Sequence, residues 1–403
     1  MVRKMKDSGV KWLGLLPANW QVDHYGSLFS LRNEKVSDKD YPPLSVTMQG
    51  IVPQLSHVAK SDDHTNRKLA LQGDFVINSR SDRRNSCGFT QKDGSVSLIN
   101  TVCVPRMPMD SRYFEYLFDT SLWADEFYAW GHGIVSDLWT TSWNEMKSIA
   151  VPVPPVNDQK LIADYLDLKC TEINSAIRSA VKTIEDLNDY KTSTIVEAIM
   201  SCGTPNVKLN LFSDAVLGKM LDSSKQLGTN LHPYLANKNV RWFSLDTSNL
   251  PVMDFPEADA SKRYGIQDGD ILVCEGGEVG RCCVWRGSSP SFYFQKAIHR
   301  VRVDKKMALP EFIAYQMYAK AKTTSFVEVR KGQSTFSHLT GDQLKELRFS
   351  LPPISKQRAT AASLDRMRLS VDRVIAQKQS IINDLKAYKQ SLIYEVVTGK
   401  REV

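Results

Sequence analysis

The sequence predicts an α+β chain: two similar mixed α/β domains separated by two long antiparallel helices, which form a coiled-coil-like, pseudo-two-fold symmetric spacer. Three observations carry that expectation. The first is a repeat. The stretch Pro154-Pro155-Val156-Asn157-Asp158-Gln159-Lys160 returns 198 residues later as Pro352-Pro353-Ile354-Ser355-Lys356-Gln357-Arg358, and laying 154–197 on 352–395 without a gap gives 15 identities in 44 positions. Unrelated segments of ordinary composition share about three. The second is periodicity. After each Pro-Pro, apolar residues recur at alternating spacings of four and three, the pattern of a helix with a coiled-coil seam. The third is that a mixed, turn-rich stretch precedes each helix. In the first, Arg67 leads to Gly73-Asp74-Phe75-Val76, and in the second Arg263 leads to Gly269-Asp270-Ile271-Leu272 at the same spacing.

Taken in order, residues 1–20 are a lead-in that ends at Pro17 and Trp20. Residues 21–153 form the first mixed domain, with turn signals at Tyr41-Pro42-Pro43 and Lys92-Asp93-Gly94, a strand at 74–78, and helical stretches near 111–129 and 142–149. Residues 154–204 are the first helical region. Its seam rows are Leu166, Ile173, Ala180 and Leu187, and Cys170, Ile177 and Ile184; Gly203 and Pro205 end it. Residues 205–351 repeat the mixed pattern. Residues 352–403 repeat the helix, with Leu364, Val371, Leu385 and Leu392 in one row, Ile375, Ile382 and Val396 in the other, and a stop at Thr398-Gly399-Lys400. Polar residues interrupt both seams: Arg368 and Lys378 in the second helix, and Lys191 and Lys389 at matching sites, where they are candidates to face a partner protein instead of the other helix. About 40 residues at 1.5 Å each make a helix of roughly 60 Å. Each apolar stripe needs cover. The two helices can cover each other, or each can lie on its own globular domain.

The chain has 403 residues, 42% of them hydrophobic and 24% charged, with a net charge of +7. That suits two folded domains and a mild preference for an acidic partner such as nucleic acid. The seven cysteines (Cys87, Cys103, Cys170, Cys202, Cys274, Cys282, Cys283) form no CxxC pair, so the expectation is reduced thiols, with neither a zinc site nor a disulfide framework. The first twenty residues lack the apolar core of a signal peptide, and no apolar run approaches a bilayer span, so a soluble cytoplasmic protein with no membrane contact is expected.

Catalytic signatures are absent. There is no GxxxxGK[ST] loop and no HExxH, and the seven histidines show no ligand spacing. Glu275-Gly276-Gly277-Glu278-Val279-Gly280 lacks the G-x-G-x-x-G spacing and runs into a strand-like segment, so it reads as a hairpin or bulge. The Pro-Pro segments lack the preceding amide and following aromatic of an adenine methyltransferase motif. No catalytic residue and no metal ligand is expected.

Nucleic-acid signals are stronger. Asn78, Arg80, Arg83, Arg84 and Asn85 lie in one polar stretch after the Gly73-Asp74 strand and are suited to phosphates and base edges, though a solvated loop would read the same way. Lys92 follows. In the second domain the candidates are Arg241, Arg281, Arg286 and Lys296, with Lys331, Gln333 and Ser334 in a Gly-containing turn that matches Gly131–Ser136.

The lead-in Lys6-Asp7-Ser8-Gly9-Val10-Lys11-Trp12-Leu13-Gly14 with Pro17 and Trp20, the paired Gly-Asp strands, and the doubled order Pro-Pro-x3-Gln-[Lys/Arg], Leu-Asp, Asp-Leu-x2-Tyr-Lys-x-Ser together resemble the specificity subunit of type I restriction–modification systems over essentially the whole length. The first helix departs at its end, where Met200-Ser201-Cys202-Gly203 stands in place of Val397-Thr398-Gly399-Lys400. The resemblance implies that the mixed domains are target recognition domains, each reading one half of an asymmetric, bipartite double-stranded DNA target. It implies that the helices set the gap and dock two methyltransferase subunits, which restriction/translocase subunits join. Such a subunit does no chemistry; S-adenosylmethionine, ATP and magnesium are expected in the partner subunits. Two rival readings are a DNA-modifying enzyme with an unrecognised site and a helical scaffold that binds no DNA.

Overall fold

The computed structural model describes residues 3–55, 65–133, 139–220, 230–255, 263–288, 292–323 and 338–403. The chain forms two compact units, Met1–Ala180 with Ser380–Val403, and Val181–Gln379.

The first unit is built on an antiparallel sheet in the order Cys87–Phe89, Phe75–Asn78, Asn100–Pro105, Phe29–Arg32. The second has the same sheet from the corresponding parts of its sequence: Cys282–Val284, Ile271–Cys274, Ile298–Val303, Ser213–Leu217. Central position explains composition. Phe75, Val76 and Ile77, and Ile271, Leu272 and Val273, are buried throughout rather than alternately, because both faces of these strands are covered. The Gly-Asp pairs enter these strands by the same turn. Gly73 (φ 88°) and Gly269 (φ 91°) adopt the left-handed region, which glycine reaches without a Cβ penalty. The next carboxylate is buried: Asp74 Oδ2 accepts the Leu71 N–H at 2.8 Å and Asp270 Oδ2 the Gln267 N–H at 2.7 Å. An arginine fork completes each site, from the edge strand in one unit (Arg32 Nε 2.7 Å from Asp74) and from the neighbouring strand in the other (Arg302 Nε 2.7 Å from Asp270). The matching Arg67 and Arg263 do different work. Arg67 is buried on Ser95, and the Arg263 guanidinium lies 5.6 Å from the centre of the Tyr264 ring.

The cores differ although the sheets agree. Phe29, Phe75, Phe89, Phe114, Phe118, Trp123 and Phe127 give the first unit an aromatic centre, with Phe118 and Trp123 ring centroids 4.5 Å apart. The second sheet packs Ile271, Val273, Val301, Val303, Ile313 and Met317. The helical stretch expected at 111–129 is two helices, Ser111–Phe118 and Ser121–Ala129, because Thr120 caps the second: its Oγ1 accepts the Trp123 N–H at 3.2 Å. Capping boxes then start equivalent short helices, Ser142/Glu145 for Trp143–Met146 and Thr340/Gln343 for Gly341–Glu346. After each, a strand (Ala150–Val153, Arg348–Phe349) pairs back to the beginning of its domain.

The Pro-Pro segments open the helices Val156–Met200 and Ile354–Val397. Each unit holds the beginning of one and the end of the other. In the second unit Lys191 Nζ donates to Asp372 Oδ1 at 2.7 Å and Cys202 Sγ lies 3.8 Å from Thr360 Oγ1. In the first, Lys389 Nζ donates to Asn174 Oδ1 at 3.2 Å, and Arg401 is in electrostatic reach of Tyr165. Residue numbers rise on one helix as they fall on the other, so the pairing within each unit is antiparallel. Lys191 and Lys389 therefore face the opposite helix, contrary to their reading as partner-facing groups: their stems lie in the seam while their ammonium groups reach a polar side chain across it.

Seam residues Leu166, Cys170, Ile173, Ala180, Leu364, Val371, Ile382, Leu392 and Val396 are buried, and Ile177, Ile184, Leu187, Ile375 and Leu385 are half-buried. The helices also lie on the domains. Leu166 and Ile173 share one apolar cluster with Phe114 and Phe118 as well as with Leu392 and Val396; Ile195 and Ile199 share another with Phe312, Tyr315, Ala361 and Leu364. Both ways of covering the apolar stripes are used at once. The helix ends differ, as the departure at 200–203 foreshadows. A Cβ on Gly399 would come within 2.4 Å of Pro17 in the lead-in, whereas Gly203 meets only Ser350 Oγ at 3.5 Å.

Candidate nucleic-acid interface

Each domain joins its long helix through the same amide. Gln159 Nε2 donates to the Pro154 carbonyl at 2.8 Å while its Oε1 accepts the Asp110 N–H at 3.0 Å. Gln357 Nε2 donates to Pro352 at 2.8 Å and to Met307 at 2.9 Å, and its Oε1 accepts the Leu309 N–H at 2.8 Å. A second latch is also repeated: the Tyr116 hydroxyl donates to Asp167 Oδ1 at 2.8 Å and the Tyr315 hydroxyl to Asp365 Oδ1 at 2.7 Å. These contacts make the Pro-Pro junctions fixed brackets rather than loose hinges.

The sheets present equivalent hairpin loops. In the first unit residues 79–86 connect Phe75–Asn78 to Cys87–Phe89; in the second, residues 275–281 connect Ile271–Cys274 to Cys282–Val284. The glycine-rich segment is thus a hairpin turn, with Gly277 (φ 74°) and Gly280 (φ 77°) in the left-handed region.

The first loop carries Arg80, Arg83, Arg84 and Asn85, beside Asn78. A 3-10 turn at Ser81–Arg83 shapes it. Asn85 (φ 57°) donates from Nδ2 to the Asp119 carbonyl at 2.7 Å. Arg84 is ion-paired with Asp125 and lies over the Tyr128 ring, 5.7 Å from its centre. The single Tyr128 hydroxyl proton is shared between the Asn78 and Arg83 carbonyls, at 3.4 and 3.3 Å. Burial, above all, raises its pKa well above the ordinary value, so it remains a donor. Arg83 is 67% exposed, with Asp82 3.5 Å away. Lys92 lies at the other end of the hairpin, beside Asp93, which accepts the Gln72 N–H; strand direction separates it from the arginines.

In the second loop Arg281 is turned inward. Its Nη2 donates to the Asn237 Oδ1 at 2.8 Å and carbonyl at 3.0 Å, and Asn237 Nδ2 donates to the Gly276 carbonyl at 2.7 Å. Glu278 accepts from Trp242 Nε1 at 2.7 Å and Lys322 Nζ at 2.8 Å. Lys296 is exposed on a turn near this loop, its neighbour Ala297 accepting the Glu275 N–H at 2.9 Å. Arg241 is exposed in an adjoining hairpin with Asp246 3.9 Å away. Arg286 sits at the far end of its strand, paired with Asp268 at 3.0 Å and with Glu311. Lys331, Gln333 and Ser334 lie outside the described residues, as do Ile134, Val135 and Ser136. Among the described residues no three His, Cys, Asp or Glu side chains converge as metal ligands would, and no helix is long and apolar enough to cross a membrane.

The sequence did not mark Tyr128 or Asn237, which organise the two loops. Tyr128 looks like an ordinary core residue of an amphipathic helix. Asn237 precedes a strand and resembles a turn residue.

Residues 237–386 match the model of the type I restriction modification DNA specificity domain. Beyond that segment, the chain is similar in sequence to type I restriction–modification specificity subunits. It is 22% identical over 269 residues to the EcoKI specificity subunit of Escherichia coli K12, covering 62% of this chain and 58% of that one. It is 22% identical over 285 residues to the putative MjaX specificity subunit of Methanocaldococcus jannaschii, covering 64% and 61%. The aligned regions thus span about three-fifths of these specificity subunits. A chain from a structural study of assembly and conformational transition in the type I R-M system matches with a TM-score of 0.75 at 14% identity, over 95% of this chain and 98% of that one. The HsdS subunit of Thermoanaerobacter tengcongensis matches with a TM-score of 0.55 at 15% identity, over 96% and 98%. The specificity-subunit fold is therefore shared along nearly the whole chain.

Proposed function

We propose that this chain is the DNA-specificity subunit of a type I restriction–modification complex. Each recognition domain reads one half of a bipartite double-stranded DNA target, and the long helices set the unread gap and dock two methyltransferase subunits. Restriction/translocase subunits join that assembly in the cytoplasm, with no membrane involved. The chain contributes position and no bond chemistry; S-adenosylmethionine, ATP and magnesium belong to the partners. The observation that carries this reading is the doubled sheet, repeated strand for strand and bracketed to its helix by the same glutamine. A scaffold without DNA binding would not need two copies of one recognition fold with unlike loops. Because those loops differ in charge and contacts, the two half-sites differ and the target is asymmetric.

Methylome sequencing of a host carrying the partner subunits, with and without this chain, tests the proposal. The expected result is methylation of one bipartite, asymmetric motif that disappears when the chain is deleted, and a change in one half of that motif when residues 21–153 are exchanged for those of another specificity subunit. Methylation that does not depend on the chain, or DNA modification by the purified chain alone, overturns it.

A further inference from the structure

We propose that Arg80 and Arg83 are the DNA-contacting guanidinium groups of the first recognition domain, presented by a loop preformed on Tyr128, and that Arg84 and Asn85 are positioning residues that brace it. The inference rests on the DNA-reading function proposed above and divides the labour within it.

The loop is held from beneath. One hydroxyl, that of Tyr128, ties the carbonyl at its entry (Asn78) to the carbonyl at its crest (Arg83). The same ring lies beneath Arg84, whose charge is met by Asp125. Asn85, in a left-handed conformation, fastens the exit to the end of the Ser111–Phe118 helix. A strand-like contact secures the entry: the Thr141 N–H donates to the Ser79 carbonyl at 3.0 Å, and Arg80 bridges to Thr140. A loop ordered in advance does not lose that entropy when it meets its ligand.

What remains free is specific. Arg84 would have to leave a carboxylate and an aromatic face to reach DNA. Arg83 has only an exposed contact with Asp82, and pairs of that kind hold little free energy. Among the described residues, no carboxylate pairs with Arg80. Two guanidinium forks on a rigid loop, Arg80 half-buried at its entry and Arg83 exposed at its crest, suit the phosphates and guanine edges of duplex DNA. The corresponding loop of the second domain does not act this way, because Arg281 is bound to Asn237 and the loop carries two carboxylates, Glu275 at its entry and Glu278. The first domain therefore supplies the stronger salt-dependent contact through its hairpin.

The test uses the complex of this chain with its methyltransferase partner and a duplex bearing the methylome-defined target. Affinity is measured by fluorescence anisotropy from about 50 to 200 mM salt, the range over which counterion release is readable. Arg80→Ala with Arg83→Ala is expected to weaken binding at least tenfold and to flatten the log–log salt slope by about 1 to 2, at roughly 0.9 per phosphate contact. The penalty for changing the other half-site should be unaltered. Tyr128→Phe and Arg84→Ala should weaken binding several-fold with the slope kept. Thermal midpoints report folding, and recognition of the second half-site serves as an internal control. Unchanged affinity and slope in the double variant, or a slope loss in Arg84→Ala equal to that of the pair, overturns the assignment. Failure of the unaltered complex to bind any duplex overturns the proposed function and this inference with it.

Discussion

The side-chain amide of Gln357 binds three backbone groups at once, whereas Gln159, its counterpart, binds two. Both are buried. Removing either leaves backbone groups unpaired away from water, at a cost of about 1–3 kcal/mol for each group left unsatisfied. Gln159→Ala should lower stability by about 2–4 kcal/mol and Gln357→Ala by more. Denaturant titration of the two variants decides the order. If Gln159→Ala costs as much as Gln357→Ala, or neither costs anything, the amides are not what brackets each domain to its helix.

A different balance governs Lys191 and Asp372. Their 2.7 Å contact is half-buried, with side chains 19% and 41% exposed. Partial solvent screening limits the coupling to about 0.5–1 kcal/mol. Lys191→Glu should be destabilising, and adding Asp372→Lys should recover most of the loss. A double-mutant cycle measures the term, which should shrink in high salt. A cycle that closes to zero would show that the lysine is solvated and does not help set the register of the seam.

The seam and the repeat were legible in the sequence because each is local: periodicity of three and four, and matched segments at a fixed offset. The loop arginines were legible as a group but not individually. What separates Arg84 from Arg83 is Asp125, 41 residues away in sequence, and what shapes the loop is Tyr128, 50 residues from Asn78. The Gly-Asp turns show the same limit. Their carboxylates repeat, but the arginines that neutralise them come from different strands. Lys191 and Lys389 looked out of place in an apolar row because a row does not reveal which polar groups stand opposite.

His299 makes stability in the second unit depend on pH. It is 1% exposed, with Nε2 2.9 Å from the Leu339 carbonyl. That contact requires a proton on Nε2, and a neutral ring satisfies it. Burial lowers the pKa from the ordinary 6.5, and the Leu339 carbonyl opposes the shift without reversing it. The folded ring therefore stays neutral where the unfolded one takes up a proton. Stability is fully present above about pH 6.5 and falls as the pH drops towards the depressed folded value. Urea midpoints at pH 7.5 and 5.5 should differ less in His299→Gln than in the unaltered chain. Identical differences would mean that other groups carry the acid sensitivity.

If the long helices set the unread gap, their length must be readable in the DNA. One heptad inserted into both helices, at Ala180/Val181 and at Gln379/Ser380, keeps the alternating rows in phase and adds about 10.5 Å to each helix. With base pairs stacked every 3.4 Å or so, the gap in the methylated motif should grow by about three base pairs while both half-sites stay the same. An insertion into one helix alone should instead misalign the rows beyond it, exposing residues such as Leu364 or Leu392 and lowering the thermal midpoint. Methylome sequencing reads the first outcome and calorimetry the second. A gap unchanged by the double insertion, in a complex that still methylates its motif, would show that something other than the helices measures the distance between half-sites.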